Sequence, residues 1–138
     1  MTYRILSIDY GIKRTGLAIT DPFQIIASGL ITIKTDNLMR FLSYYLYEEN
    51  IKKVIIGEPK NCKNQPSVIE KEIQLFISKF CLFFPKINLD RIDEKFTSKL
   101  AKNTLFGLKK RYRTNKFVLD KISATFILQS YIDKNRNA

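Results

Sequence analysis

The chain has 138 residues, 45% of them hydrophobic, and a formal net charge of +11 from 24 Lys+Arg against 13 Asp+Glu. That is the length of one domain, 1–138, with a real core, and its apolar content excludes a disordered chain. It contains no histidine, which excludes zinc sites, Ser–His–Asp triads and imidazole general bases; any hydrolytic chemistry must run on carboxylates, lysines or a hard cation held by oxygen ligands.

The first apolar run, residues 5–8, is β-branched and reads as a buried strand ending on Asp9. Gly11 and Gly16 bracket a turn carrying Lys13 and Arg14, and Leu17, Ala18 and Ile19 begin a second strand, so this stretch predicts a hairpin. Asp21–Pro22 makes the next turn, and residues 25–33 supply a third strand. Thr35, Asp36 and Asn37 read as an N-cap before a helix whose apolar stripe is Leu38, Phe41, Leu42, Tyr45 and Leu46. Residues 53–57 predict a fourth strand, buried on both faces.

Pro66 or Ser67 opens a second helix with Val68, Ile69, Ile73, Phe76, Ile77 and Phe80 on one face, closed by Pro85. Residues 87–92 form a fifth strand with Asp93 and Glu94 at its C-terminal end. Thr97 and Ser98 cap a third helix to about Phe106; a basic run follows, then a last helix over 117–133 with a frayed tail from Lys134. Short connections make the first three strands antiparallel, and crossover helices make the later ones parallel. The expectation is an α/β fold: a mixed five-stranded sheet with helices on both faces.

The first, fourth and fifth strands are expected as neighbours, their C-terminal ends opening on one crevice. Asp9, Glu58 and Asp93–Glu94 stand at those ends. On the last helix, the stripe Ala124, Ile127, Leu128, Tyr131 continues back to Asp120, a carboxylate on a buried face. Two of the acids also have a plainer reading: Asp9 capping its own turn, Asp120 capping its helix. Together Asp9, Glu94 and Asp120 would repel one another unless a cation neutralised them, and Mg²⁺ (or Mn²⁺) is the expected answer, one or a pair of ions acting on a phosphodiester. From 95 to 119 the chain carries Lys95, Lys99, Lys102, Lys109, Lys110, Arg111, Arg113 and Lys116 without one acid. Tyr112 and Phe117 interleave with them, a composition suited to unpaired nucleic acid.

Four blocks then carry a family resemblance: Ile8–Asp9–Tyr10–Gly11 with Lys13–Arg14–Thr15–Gly16–Leu17–Ala18 and Asp21–Pro22; residues 54–61; residues 93–98; and residues 120–131. In order and at this length the chain resembles the YqgF (RuvX-like) nucleases of the ribonuclease H-like fold. The resemblance implies a nuclease processing the 5′ end of pre-16S rRNA, with resolution of Holliday junctions as the older assignment and ribosomal particles as possible company. It places the family's acids on Asp9, Glu94 and Asp120. Lys95 stands where the family usually has arginine, and Glu58 where it is more often apolar.

A non-catalytic RNA-binding assembly factor is the alternative. An actin-like ATPase, which also opens on Asp-x-Gly, needs a second domain and a further glycine-rich loop. No stretch nears the roughly 18 apolar residues of a membrane span and no signal-peptide pattern opens the chain, so the expected location is cytoplasmic. Cys62 and Cys81 fit neither a metal nor a disulfide spacing and are expected to be reduced and structural.

Overall fold

The structure, a computed structural model, describes residues 2–60, 63, 65–94 and 99–136. Strands β1 (Arg4–Asp9), β2 (Arg14–Thr20) and β3 (Ala27–Lys34) are followed by a 3₁₀ turn (Thr35–Asn37) and α1 (Leu38–Glu48). Then come β4 (Ile51–Glu58), α2 (Glu70–Phe83), β5 (Asn88–Asp93), α3 (Lys99–Arg111) and α4 (Lys116–Arg136). The sheet order is β3-β2-β1-β4-β5. β2 pairs antiparallel with both β1 and β3, while β4 pairs parallel with β1 and β5. The mixed sheet is the expected one, with β1 at its centre: the crossover through α1 carries the chain from β3 past β2 to the free edge of β1, and the crossover through α2 then sets β5 beside β4.

Strand alternation divides the core in two. Leu6, Ile8, Val54 and Ile56 meet Leu38, Leu42 and Leu46 of α1 and Ile73, Phe76 and Phe80 of α2. Ile5, Ala18, Ile55 and Ile92 meet Ala124, Ile127, Leu128, Tyr131 and Ile132 of α4. α4 is anchored to β1 by Ser7 Oγ, which donates to the Ala124 carbonyl at 2.7 Å.

Several boundaries differ from the sequence reading, each for a local reason. β3 starts at Ala27 because Asp21 accepts the N–H groups of Phe23, Ile25 and Ile26 and holds that segment as a turn. Thr35 caps no helix; its hydroxyl donates to the Gly11 carbonyl at 2.6 Å and meets Thr15 Oγ1 at 2.8 Å, bracing the β1–β2 loop. α2 begins at Glu70 because the preceding chain is bonded to the loop before it, Ser67 N–H to the Pro59 carbonyl and Lys60 bridged to Pro66. Val68 is consequently 98% exposed.

α3 runs past Phe106 through Gly107 to Arg111, so Lys109, Lys110 and Arg111 are helical. α4 likewise continues through Lys134 to Arg136. Cys81 is exposed and has no part in the core. Cys62, Lys95 and the Thr97–Ser98 cap lie outside the described residues.

Candidate active site

Asp9 is the last residue of β1 and Glu94 follows directly on β5. Ile5 and Ile92 face α4, so period-two alternation turns Asp9 and Glu94 to the same side. Tyr10 turns the other way, its ring 5.3 Å from that of Phe76 in α2.

Two glycines make room for this arrangement. Gly16 pairs with Asp9 across β1 and β2, and a Cβ there would collide with the backbone carbonyl of Asp120. α4 therefore rests backbone-on-backbone against β2 at the level of Asp9. On the other flank, Gly57 follows Ile56, the partner of Ile8 in β1. A Cβ on Gly57 would stand 3.4 Å from Glu94 Oε1 and 2.9 Å from Ile127 Cδ1. Glu94 thus reaches over a bare stretch of β4 toward Asp9.

The electrostatics follow from that approach. Burial, then the charges of Glu94 and Asp120, push the Asp9 carboxyl up to about 7, with Lys109 of α3 pulling the other way. Glu94 is raised as well, first by burial, with Lys109 and Arg91 opposing and Asp93 adding to it. Neither carboxylate accepts a hydrogen bond from a described residue. Asp9 therefore does not cap its turn.

Asp120 is not a cap either, since the Val118 N–H at the start of α4 is held by Asn115 Oδ1 at 3.3 Å. Its Oδ2 accepts from Arg14 Nε at 2.8 Å, and the Arg14 guanidinium lies 5.9 Å from the Phe117 ring centroid. Among the described residues no three acids lie close enough to form a ready cation cage. The residues present nonetheless fit a divalent cation. Asp9 and Glu94 are hard oxygen donors, half-buried and without hydrogen-bond partners among the described residues, with the Glu94 charge acting on Asp9, and Mg²⁺ is commonly bound by one or two carboxylates plus water and phosphate.

Glu58 and Asp93 pair in register and lie one residue out of phase with Gly57 and Glu94, on the α2 side. Lys60 Nζ joins them, 2.9 Å from Asp93 Oδ2 and 3.9 Å from Glu58 Oε1. Glu58 is therefore not a member of the acidic group.

Of the basic residues singled out from sequence, Lys13 is exposed on the β1–β2 loop, and Lys109, Lys110, Arg111, Arg113 and Lys116 are exposed where α3 turns into α4. Arg111 lies 5.7 Å from the Tyr112 ring. The sequence reading missed the close approach at Gly16 and at Gly57, and it read Phe117 as a stacking platform for bases and not as the neighbour of Arg14. An isolated glycine in a β-branched strand was the available signal for Gly57.

The family model described as "RuvX: Holliday junction resolvase" matches residues 3–134. The chain belongs to the RuvX family. A family relative from Flavobacterium psychrophilum, named "Putative pre-16S rRNA nuclease", is 50% identical over 133 residues, covering 95% of this chain and 97% of its own length. One of the same name from Bacteroides thetaiotaomicron is 44% identical over 135 residues, covering 96% and 98%. Among solved structures, Thermus thermophilus RuvC in complex with a Holliday junction substrate superposes with a TM-score of 0.61 at 15% identity, over 99% of this chain and 96% of that one. Fowlpox virus resolvase with Holliday junction DNA gives 0.56 at 17% identity, over 96% and 98%. At such identities these two establish the RuvX chain's fold, which is ribonuclease H-like.

Proposed function

We propose that this RuvX-family chain is a metal-dependent endonuclease that hydrolyses phosphodiester bonds, with the 5′ end of pre-16S rRNA as its substrate. The observation that carries this reading is the pair of half-buried carboxylates, Asp9 and Glu94, on the same side of the sheet and near enough for the Glu94 charge to act on Asp9, with no hydrogen-bond partner among the described residues and with exposed cations beside them. RNA is favoured over branched DNA because the relatives near 50% identity bear the rRNA name, whereas the junction-bound structures are similar only in fold.

In this reading Asp9 and Glu94 hold Mg²⁺ or Mn²⁺, with Asp120 joining as a third ligand. When bound, the cation supplies Lewis-acid polarisation of the phosphate and an acidified water as nucleophile. The chain's own residues do the rest. Lys13, Lys109, Lys110, Arg111, Arg113 and Lys116 hold the backbone of the nucleic acid, and Lys95 is assigned to the same task. Lys109, whose charge acts on both acids, stands where negative charge accumulates during hydrolysis.

The test is cleavage of pre-16S rRNA and of a four-way DNA junction in Mg²⁺ by the native protein and by Asp9→Asn and Asp120→Asn. RNA cleavage should fall by about a hundredfold or more in both variants, the scale of removing a group that stabilises transition-state charge. Undiminished cleavage would remove the assignment. The engagement of Asp120 by Arg14 favours a second reading, a binding protein without hydrolysis. RNA binding that persists in EDTA, with no cleavage of either substrate, would select it.

A further inference from the structure

We infer that Arg14 acts as a phosphate-responsive latch on Asp120: its guanidinium holds that carboxylate away from Asp9 and Glu94 until a nucleic-acid phosphate takes its place. The inference rests on the nuclease reading for the nature of the site and adds a coupling between its two ligands.

Four observations carry it. Arg14 Nε and Asp120 Oδ2 form a 2.8 Å pair bridging β2 and α4, whose side chains are 28% and 25% exposed, so an incoming anion can reach both. Asp120 is close enough to Asp9 for its charge to be felt there, yet no three described acids form a cation cage. The backbone at Asp120 is closely packed, its carbonyl resting against Gly16, the residue paired with Asp9. Only the side chain is left to move, and rotation about its own bonds is the available motion. Finally, the guanidinium stacks near Phe117, which is 50% exposed, so Arg14 keeps an apolar support when it lets go of the carboxylate.

Phosphate competes well for this group. A guanidinium binds phosphate oxygens with the same fork geometry that it offers a carboxylate. Once Arg14 has turned to a backbone phosphate, Asp120 is an uncompensated anion beside two others, and a divalent cation is its natural partner. Nucleic acid and cation should therefore bind cooperatively, each raising the affinity of the other by the same factor. The consequence is economy of hydrolysis: a cation site completed only when substrate is present has little activity toward phosphates that do not engage Arg14.

The experiment is a Mn²⁺ titration, read by calorimetry or by the electron paramagnetic resonance of free Mn²⁺, on the native protein, Arg14→Gln, Asp120→Asn and the double variant. No cleavage is needed. Arg14→Gln should bind Mn²⁺ about tenfold more tightly than the native protein, and the gain should vanish in the Asp120→Asn background. A gain of equal size with and without Asp120 would reduce Arg14 to a distant repelling charge and overturn the latch. So would the absence of any gain in folded Arg14→Gln.

If Arg14→Gln does not fold, Arg14→Met, which keeps an apolar stem near Phe117, repeats the test: it should show the same gain, lost in the Asp120→Asn background, and no gain in the folded variant would overturn the latch. In the second arm a single-stranded phosphorothioate RNA should tighten Mn²⁺ binding to the native protein by a larger factor than to Arg14→Gln, where only the phosphate's own ligation remains. Equal tightening in both would also overturn the proposal. Failure of the nuclease reading shows separately, as cleavage that survives Asp9→Asn.

Discussion

At Asp9 and Glu94 a carboxylate is kept partly out of water beside another of the same charge, and protonation relieves both costs. For each, the folded protein binds the proton more tightly than the unfolded chain. Their contribution to stability is therefore fully present below the ordinary carboxylate value and is lost as pH rises through the folded one. For Asp9 that window runs from 3.8 to about 7. Asp21, held below its ordinary value by backbone N–H groups, and Glu70, held down by Arg91, act in the opposite sense and in a more acid window. The melting temperature of metal-free Asp9→Asn should accordingly rise relative to the native protein as pH is raised across Asp9's window, and Mg²⁺ should stabilise only the native protein there. A difference that does not change with pH would contradict the assignment.

The two glycines separate stability from function at the same scale. Gly16→Ala drives a methyl group into backbone that cannot yield, and should cost about 1–3 kcal/mol or more by denaturant unfolding. At Gly57 the neighbours are the flexible end of Ile127 and the Glu94 carboxylate. Gly57→Ala should stay within about 1 kcal/mol of the native protein, yet weaken Mn²⁺ binding by displacing Glu94.

Among the elements, α4 matters most, because it carries one acid and covers the sheet face on which the other two stand. Its stripe Ala124, Ile127, Leu128, Tyr131 and Ile132 is buried, and the Asn115 cap fixes where it starts. Leu128 is fully buried, so Leu128→Ala should destabilise the fold by about 2–5 kcal/mol. Asn115→Ala should cost about 1 kcal/mol and loosen the first turns that position Asp120, visible as faster amide exchange there. α3 plays a different part. It brings Lys109 to the acids and leaves Lys110 and Arg111 exposed at its end. Its extension through Gly107 was hidden in the sequence because glycine reads as a stop. A Cβ on Gly107 would meet nothing within 4 Å, so the residue serves no close approach, and the helix absorbs a cost of about 1 kcal/mol.

For the molecule as a whole, the +11 charge is the largest long-range feature and sets how it meets nucleic acid. Affinity for single-stranded RNA should fall steeply with salt, with a slope of about 0.7 per phosphate contacted. Replacing Lys110, Arg113 or Lys116 by alanine should each lower the slope by about that amount, while Lys52, at the N-terminal end of β4, or Lys86, in the turn before β5, should leave it unchanged. Filter-binding or anisotropy titrations across a salt series would measure this. No helix among the described residues is long and apolar enough to cross a membrane.

The strand pattern and the α4 stripe were legible in the sequence because they rest on local periodicity, and periodicity survives whatever the rest of the chain does. The strand directions followed from the lengths of the connections, and the acids stood out because a carboxylate at a strand end or on an apolar stripe contradicts its surroundings. Helix and strand boundaries were less legible, since the Thr35 hydroxyl goes to Gly11 and Thr15 and the Ser67 N–H to Pro59, partners that the local sequence does not reveal, while Asp21 extends its own turn as far as Ile26. The pairing of Arg14 with Asp120, 106 residues apart, and the exclusion of Glu58 from the acidic group belong to the tertiary structure alone. Both depend on which face of the sheet a side chain occupies and what the opposite element brings to it, and a one-residue change in phase reverses the first of these.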